Sequence, residues 1–411
     1  MSDEQEILDP ASRARYADAI VKEGVALRRR ELLVVVGQPQ QRELLVALAE
    51  AGYGAGARHV ELEVVDPLVA AARIRYGTSA AIGERAPWEP ARARALMRPD
   101  SAIVHLAGEG EPGAFDGLSP KRQAEDQARA RKALSWFVKA TMDGRVRWCG
   151  AGWPTDAWAT KVYPELDALE AKRRLARDLL WFCRLGDEDG EGTSGWKSHA
   201  RTLEARAKKL TRLKLEALEL RGPGTELRFA FPSGTRWLGG RERTASGHLT
   251  APNMPTEECF TAPVPAATEG TFRCSLPLVF RGTPIEGLAG EFHRGRLVRL
   301  EAARDEDRDY LAAFVDNDRN GRRVGEVALV DRSSRIGRAG RTYFNTLLDE
   351  NAAAHFAFGG GYPASREPGA QAVNRAALHI DVMIGTDDFE ATGLAARGRR
   401  VPLIAGGEWQ L

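Results

Sequence analysis

The stretch ELLVVVGQP at residues 31–39 is a short apolar run that ends in a glycine and a proline. Apolar residues at helical spacing precede it at 12–27 and follow it at 41–53. Two more strand-like runs come next, HVELEVVDP at 59–67 and SAIVHLAG at 101–108. Strands that alternate with helices of about a dozen residues are typical of a parallel sheet. The first third of the chain therefore predicts an α/β domain.

The rest of the sequence divides at a turn signal. Long charged helices are predicted over 120–142, 163–185 and 197–220. The turn sequence RGPG at 221–224 is typical of a helix stop, and short strand-like runs separated by glycine, proline or asparagine follow it. The predicted fold class is α/β, with an N-terminal α/β domain of parallel sheet and long helices over residues 1–222. A β-rich α+β domain is expected over residues 223–411.

Composition excludes several classes of protein. The 411 residues predict two or three domains. Acids and bases nearly balance at a formal net charge of +2, so neither a nucleic-acid nor a membrane surface is expected. No apolar run reaches the ~20 residues that span a bilayer, and the four cysteines form no C-x-x-C pair. These features predict a soluble, cytoplasmic protein.

Common catalytic motifs give no support to other enzyme classes. The glycine cluster GYGAGA at 52–57 follows a helix and precedes a strand, whereas a dinucleotide fingerprint follows a strand and opens a helix. The sequence has no G-x-S-x-G, no P-loop and no H-E-x-x-H. Cys259 follows two glutamates, which raise the pKa of a thiol, so a buried structural residue is favoured over a nucleophile.

Residue types that bind metals cluster in the last part of the chain. His379 and Asp381 are two residues apart in a predicted strand and so share one face. His355 ends an alanine-rich stretch that predicts a helix. Glu258 and Glu326 stand among strand-forming apolar residues, where an unpaired carboxylate is costly. Each residue alone fits a structural salt bridge equally well, but their joint presence favours a metal site.

Four segments of the second half stand in a fixed order. They are NMPTEECFTAP at 253–263, VGEVALV at 324–330, LLDENAAAHFAFGGGY at 347–362 and ALHIDVMIG at 377–385. In sequence and order they resemble the M29 family of thermophilic-type metallo-aminopeptidases. Segments of the first half are also similar, so the resemblance covers nearly the whole chain.

The resemblance implies a two-domain, homodimeric exopeptidase that acts on peptides with a free N-terminus. It implies two divalent ions, zinc, cobalt or manganese, that share a bridging water. The ligands that it implies are Glu258, Glu326, His355, Tyr362, His379 and Asp381. The sequence departs from the family pattern at Glu257, where glycine is usual, and at Ala376, where serine is common.

The proposed hydrolysis also requires a general base, which takes the proton of the attacking water and passes it to the leaving amine. Glu350, five residues before a candidate ligand, is the first candidate, and Glu257 is the second. The oxygen-rich donor set suits Zn²⁺, Co²⁺ or Mn²⁺ better than Cu(I) or an iron–sulfur cluster.

Two other functions fit part of this pattern. His355, His379 and Asp381 alone suffice for the mononuclear non-haem iron site of a ring-cleaving dioxygenase of related fold. A non-catalytic metal-binding assembly protein would also keep a metal site. The three additional candidate ligands favour the peptidase. By contrast, His293 lies in a predicted turn and is expected to be an exposed non-ligand.

Overall fold

The computed structural model describes residues 6–108, 110–111, 113–190, 192–280 and 283–411. These residues divide into two compact units. The first unit contains the described residues up to Lys197 together with Glu242–Met254. The second unit contains Ser198–Arg241 and Pro255–Leu411. A short segment between the two parts of the second unit therefore belongs to the first.

Helices are concentrated in the first unit and strands in the second. The helices are α1 (Pro10–Ala19), α2 (Arg42–Gly54), α3 (Pro67–Tyr76), α4 (Trp88–Leu96), α5 (Pro120–Ala133), α6 (Ser135–Met142), α7 (Asp156–Val162), α8 (Ala168–Phe182), α9 (Ser194–Arg212), α10 (Asp305–Asp316), α11 (Arg335–Arg338) and α12 (Thr346–Asp349). The strands are β1 (Leu32–Gly37), β2 (His59–Val64), β3 (Ser101–Ala107), β4 (Trp148–Gly152), β5 (Ala217–Gly222), β6 (Thr225–Ala230), β7 (Glu242–Arg243), β8 (Leu249–Thr250), β9 (Asn253–Met254), β10 (Cys259–Thr261), β11 (Glu269–Arg273), β12 (Leu278–Phe280), β13 (Thr283–Ile285), β14 (Ala289–His293), β15 (Arg296–Glu301), β16 (Val324–Leu329), β17 (His355–Gly359), β18 (His379–Met383), β19 (Glu390–Ala395), β20 (Arg399–Ala405) and β21 (Glu408–Trp409). In the part of the chain that the structure describes, no helix has the length and apolar character needed to cross a membrane.

A parallel sheet forms the centre of the first unit. Its strand order is β2-β1-β3-β4-β9, and every neighbouring pair is parallel. Leu33, Val34 and Val35 of β1 are fully buried, as expected for a central strand that is covered on both faces. The predicted α/β fold with a parallel sheet is confirmed. The edge strand β9 comes from the returning segment Glu242–Met254, which no local pattern indicates.

Two antiparallel sheets form the core of the second unit. The smaller has the order β10-β16-β17-β18, and the larger has the order β15-β14-β11-β6-β5-β19-β20-β21. Phe356 and Phe358 of β17 pack against Phe272 and Phe292 of the larger sheet, with ring centroids 5.0 to 6.1 Å apart. Side chains alternate along a strand, so Ala357, which lies between Phe356 and Phe358, points away from this core. The opposite face of the small sheet is therefore available for a site.

The helix predicted over 197–220 is too long. Helix α9 ends at Arg212, and β5 begins at Ala217. The RGPG sequence forms the tight turn of the β5–β6 hairpin, in which Gly224 has a φ of +73°. Proline followed by a glycine of positive φ fits a type II turn. The domain boundary expected at 222/223 consequently falls inside a hairpin of the second unit.

A buried ion pair contacts the returning segment in the first unit. Arg147 Nη2 donates to Glu31 Oε2 at 2.7 Å, and the two side chains are 2% and 10% exposed. Arg147 also donates to the carbonyls of Ser101 and Ala26. His248 of the returning segment lies with its Nε2 3.3 Å from Glu31 Oε1. One buried guanidinium thus joins several parts of this unit.

We expect Arg147→Ala to lower the free energy of unfolding by about 3–5 kcal/mol, because it leaves Glu31 buried without its cation. Seven of the nine tryptophans belong to the first unit, so urea unfolding followed by tryptophan fluorescence reports on it. Arg98→Ala is the control, since Arg98 pairs with Asp100 at a 65% exposed position and should contribute less than about 1 kcal/mol. Equal reductions of the free energy of unfolding in the two variants would contradict the expected contribution of the buried ion pair to stability.

Candidate metal centre

Strands β16, β17 and β18 bring predicted metal-binding residues onto one face of the small sheet. Glu326 lies opposite Ala357, and Ala357 lies opposite Asp381, so two carboxylates flank one small side chain. His355 precedes Ala357 by two residues, and His379 precedes Asp381 by two, which places both histidines on the same face. The predicted shared face of His379 and Asp381 is confirmed.

Glu258 reaches this face from the residue just before the neighbouring strand, β10. It immediately precedes β10, whose Cys259 pairs with Leu329 of β16. Glu258 Oε2 lies 3.2 Å from His355 Nε2. Cys259 is fully buried, and burial raises the pKa of its thiol to about 12. This fits the structural role predicted for the cysteine.

The stretch that was predicted to be helical up to His355 is helical only in its first part, and turns follow it. Helix α12 ends at Asp349, and His355 is the first residue of β17. Phe356 and Phe358 are both fully buried in the core between the sheets. Burial of alternate side chains outweighs the helix propensity of the three preceding alanines, because tertiary packing decides such short segments.

Glycines allow β16 and the end of β17 to pass close to each other beside the site. The pairing of the two strands shifts register next to Gly325, which brings Glu326 opposite Ala357. A Cβ atom on Gly325 would lie 2.2 Å from Gly359 O, and one on Gly361 would lie 2.3 Å from Gly325 O. The glycine run at 359–361 therefore permits the close approach of the two strands.

Two groups of side chains lie close enough to hold metal ions, and they share one residue. Glu258, Glu326 and His355 form one group, and Glu326, His379 and Asp381 form the other. His355 Nε2 is 3.9 Å from Glu326 Oε1, and His379 Nε2 is 3.7 Å from Glu326 Oε2. Each oxygen of Glu326 therefore faces a different histidine.

Backbone carbonyls fix both imidazole rings. His355 Nδ1 lies 3.1 Å from Ala353 O, and His379 Nδ1 lies 2.8 Å from Gly360 O. Because a carbonyl can only accept, each Nδ1 carries the ring proton and each Nε2 faces the carboxylates. Metal-binding histidines commonly have this arrangement.

The carboxylates of this face are buried without enough hydrogen-bond donors. Glu258, Glu326 and Asp381 are 6%, 4% and 5% exposed. Among the described residues, none donates a hydrogen bond of normal geometry to Glu258 Oε2 or Glu326 Oε2. Buried carboxylates are costly unless cations compensate them. The donor set therefore fits divalent cations.

The pKa values of these groups reflect the same crowding. Burial raises the pKa of Glu326 to about 8, and repulsion from Glu258 and Asp381 adds to the effect. Burial lowers the pKa of both histidines, but the adjacent carboxylates outweigh it and raise the pKa of His355 to about 9 and that of His379 to about 10. The face therefore attracts positive charge.

Glu350, the first candidate for the general base, reaches this face. Its carboxyl group hydrogen-bonds to that of Asp381. Burial, followed by repulsion from Asp381, Glu258 and Glu326, holds the pKa of Glu350 well above its usual range. A carboxyl group held beside a candidate ligand is well placed to accept and deliver a proton.

Glu257, the second candidate, directs its carboxylate elsewhere. Its Oε1 accepts from the N–H of Arg335 at 3.0 Å, at the start of α11. Its Oε2 lies 3.5 Å from His199 Nε2. Among the described residues, neither candidate metal-binding group includes Glu257. These contacts give Glu257 the role of a helix-terminal acceptor.

The remaining candidates lie at the border of the face or away from it. The ring of Tyr362 packs edge-on against those of His379 and Phe260, with centroids 5.7 and 5.5 Å apart. The side chain of His293 is 63% exposed and lies 3.2 Å from Glu269, so the predicted exposure of His293 is confirmed.

Reasoning from the sequence missed Asn351. This residue is fully buried, and its side-chain amide contacts both Glu257 and Glu350. The available signal was its position directly after Glu350, in the third of the four segments that carry the family resemblance.

Comparison with known proteins identifies relatives along the whole chain. A family model described as thermophilic metalloprotease (M29) matches residues 11–409. Aminopeptidase T of Thermus aquaticus is 32% identical over 402 residues, which cover 96% of this chain and 97% of the relative. Aminopeptidase PepS of Streptococcus thermophilus is 31% identical and aminopeptidase AmpS of Bacillus subtilis 30% identical, each with the same coverage.

Solved structures agree with these relatives. AmpT of Thermus thermophilus superposes with a TM-score of 0.87 at 30% identity, over 98% of this chain and 99% of that chain. The 2,5-dihydroxypyridine dioxygenase of Pseudomonas putida KT2440 has a TM-score of 0.54 at 11% identity with the same coverage, a likeness that shows the fold alone. The enzyme class predicted from the sequence, a metallo-aminopeptidase, is confirmed, and the chain belongs to the M29 family of thermophilic metalloproteases.

Proposed function

We propose that this chain releases N-terminal residues from peptides with the help of two divalent metal ions held on the face of the small sheet. The observation that carries the proposal is that Glu326 belongs to both candidate metal-binding groups. A carboxylate shared by two sets of ligands is the arrangement expected for a closely spaced pair of ions.

The proposed ligands are Glu258, Glu326, His355, Tyr362, His379 and Asp381. Five of them belong to the two groups of buried or partly buried side chains, and the role of Tyr362 rests on the family resemblance and on its contact with His379. Three carboxylates, two imidazoles and a phenol suit zinc, cobalt or manganese. When bound, two such ions would acidify a water molecule and polarise the scissile carbonyl group.

The residues of this chain would bind the substrate and move protons. Glu350 would take a proton from water and deliver it to the leaving amine. Asp381 supports this role, because its carboxyl group hydrogen-bonds to that of Glu350. A face rich in carboxylates would also bind the positively charged α-amino group of the substrate, which accounts for selectivity toward free N-termini.

We also propose that the protein acts as a homodimer in the cytoplasm. The dimer rests on the family resemblance. The location is supported by the cysteines, since within the described residues none of them forms a disulfide, as expected in a reducing compartment.

The two alternatives explain less of the site. A mononuclear iron centre needs one carboxylate and two histidines. It would leave Glu258 and Glu326 buried without compensation, although both belong to the same face. A purely structural metal site does not account for the additional acid, Glu350, beside Asp381.

The function is tested by comparing leucyl-p-nitroanilide with its N-acetylated form. We expect acetylation to lower kcat/KM by at least ~100-fold, because it removes the charged amine that the carboxylate-rich face binds. Cleavage of a peptide blocked at both ends at a comparable rate would refute an aminopeptidase.

Metal analysis tests the shared role of Glu326. We expect Glu326→Ala to lose both ions and His379→Ala to lose one, with kcat lowered at least ~100-fold in each. His293→Ala is the matched histidine control and should keep both ions, with activity within about a few-fold, since it is an exposed surface position. Full metal content in Glu326→Ala would show that Glu326 is not a shared ligand.

The general base is tested with two neutral variants of similar shape. Glu350→Gln should lower kcat by about 10²–10⁴-fold while both ions stay bound. Glu257→Gln should change kcat far less, because the Glu257 carboxylate contacts Arg335 and His199. The reverse order of effects, measured at equal metal content, would assign the base to Glu257.

A further inference from the structure

The side-chain amide of Asn351 joins the segments that carry Glu258 and Glu350. Its Oδ1 accepts the N–H of Glu257 at 2.7 Å, one residue before Glu258. Its Nδ2 donates to Leu347 O at 3.1 Å and to Glu350 Oε1 at 3.4 Å. Both hydrogens of the amide nitrogen and its oxygen thus have partners, in a side chain that is fully buried.

These partners permit only one orientation of the amide. Turning it over would bring the NH₂ group against the N–H of Glu257, and the oxygen against Leu347 O and Glu350 Oε1. The backbone of Asn351 is held as well, because its carbonyl accepts from Ser334 Oγ at 2.7 Å. Asn351 therefore presents a fixed donor to the carboxyl group of Glu350.

We propose that Asn351 is a positioning residue for the hydrolysis, which directs the carboxyl group of Glu350 toward Asp381 and sets its place relative to Glu258. The proposal rests on the proposed role of Glu350 as general base. Glu350 follows the last residue of the short helix α12, so its own helix restrains it little. Because a displacement of about 1 Å can cost about 100-fold in rate, a fixed donor at this position matters for the reaction.

Asn351→Asp tests this role with little change of shape. It keeps an acceptor for the N–H of Glu257 but replaces the donor to Glu350 with a second carboxylate oxygen. We expect kcat on leucyl-p-nitroanilide to fall about 10- to 100-fold, with KM within about threefold, in enzyme loaded with Co²⁺. The cobalt content and the visible absorption spectrum of the bound Co²⁺ should remain as in the wild type, which distinguishes positioning from metal loss.

Thr225→Val is the control for losing a buried hydrogen bond in the same unit. Thr225 is 4% exposed and exchanges hydrogen bonds with the backbone of Arg273, in the large sheet. This variant should lower stability but leave kcat unchanged. If kcat falls by a comparable factor in Thr225→Val, general destabilisation explains the effect of Asn351→Asp. This result would overturn the proposal.

A double-mutant cycle with Glu350→Gln decides whether Asn351 acts through Glu350. In the Glu350→Gln background, Asn351→Asp should lower kcat further by less than about twofold. If the fold-reductions of kcat in the two single variants multiply in the double variant, the proposal is overturned. Wild-type kcat in Asn351→Asp, when Glu350→Gln is impaired, overturns it as well. Wild-type kcat in Glu350→Gln itself would refute the base assignment, and the positioning role with it.

If Asn351→Asp does not fold, Asn351→Ser replaces it without an added charge, because the shorter serine side chain gives up the contact with Glu350 together with the one to the N–H of Glu257. A folded Asn351→Ser with full cobalt content and lowered kcat supports the proposal. Wild-type kcat in this variant overturns it.

Discussion

Three carboxylates buried side by side are the constraint on which the second unit depends. Glu258, Glu326 and Asp381 lie on one face of a four-stranded sheet, and two of their oxygens accept no hydrogen bond of normal geometry among the described residues. Such an arrangement is unfavourable unless positive charge balances it. Divalent cations would supply this charge, and the two histidines, whose Nδ1 atoms are held by backbone carbonyls, turn their Nε2 atoms toward the same carboxylates. A rigid scaffold is needed to keep like charges this close.

Strand β17 contributes to that rigidity because one of its faces packs into the core while the other carries site residues. Phe356 and Phe358 pack into an aromatic core between the two sheets, while His355 and Ala357 face the carboxylates. The small side chain of Ala357 leaves room between Glu326 and Asp381, and the close backbone approach at Gly325 sets the register that aligns them. The burial of the phenylalanines thus stabilises the strand that carries the polar face.

Local patterns predicted the parts of this structure that local forces determine. The apolar runs at 31–39, 59–67 and 101–108 became strands of the parallel sheet, and the alternation around His379 predicted its shared face with Asp381. The alanine-rich stretch before His355 was wrongly predicted to be helical throughout, because the helix ends at Asp349 and the strand that starts at His355 is fixed by pairing with β16 and β18. Contacts between distant residues determine the return of Glu242–Met254 to the first unit and the contact of Asn351 with Glu257. Spacing along the chain does not contain this information.

The chemistry of this fold is determined by its donor set rather than by its architecture. A dioxygenase with 11% identity has the same fold at a TM-score of 0.54, so the fold alone does not fix the reaction. One carboxylate and two histidines leave coordination positions open on a single iron, as oxygen chemistry requires. In the proposed centre, two further buried carboxylates, Glu258 and Glu326, would extend the site so that a second cation could share Glu326, and Glu350 would add an acid beside it. In these proposed roles, a shared carboxylate and an adjacent acid would serve the activation of water and the transfer of its proton, which hydrolysis needs and oxygen activation does not.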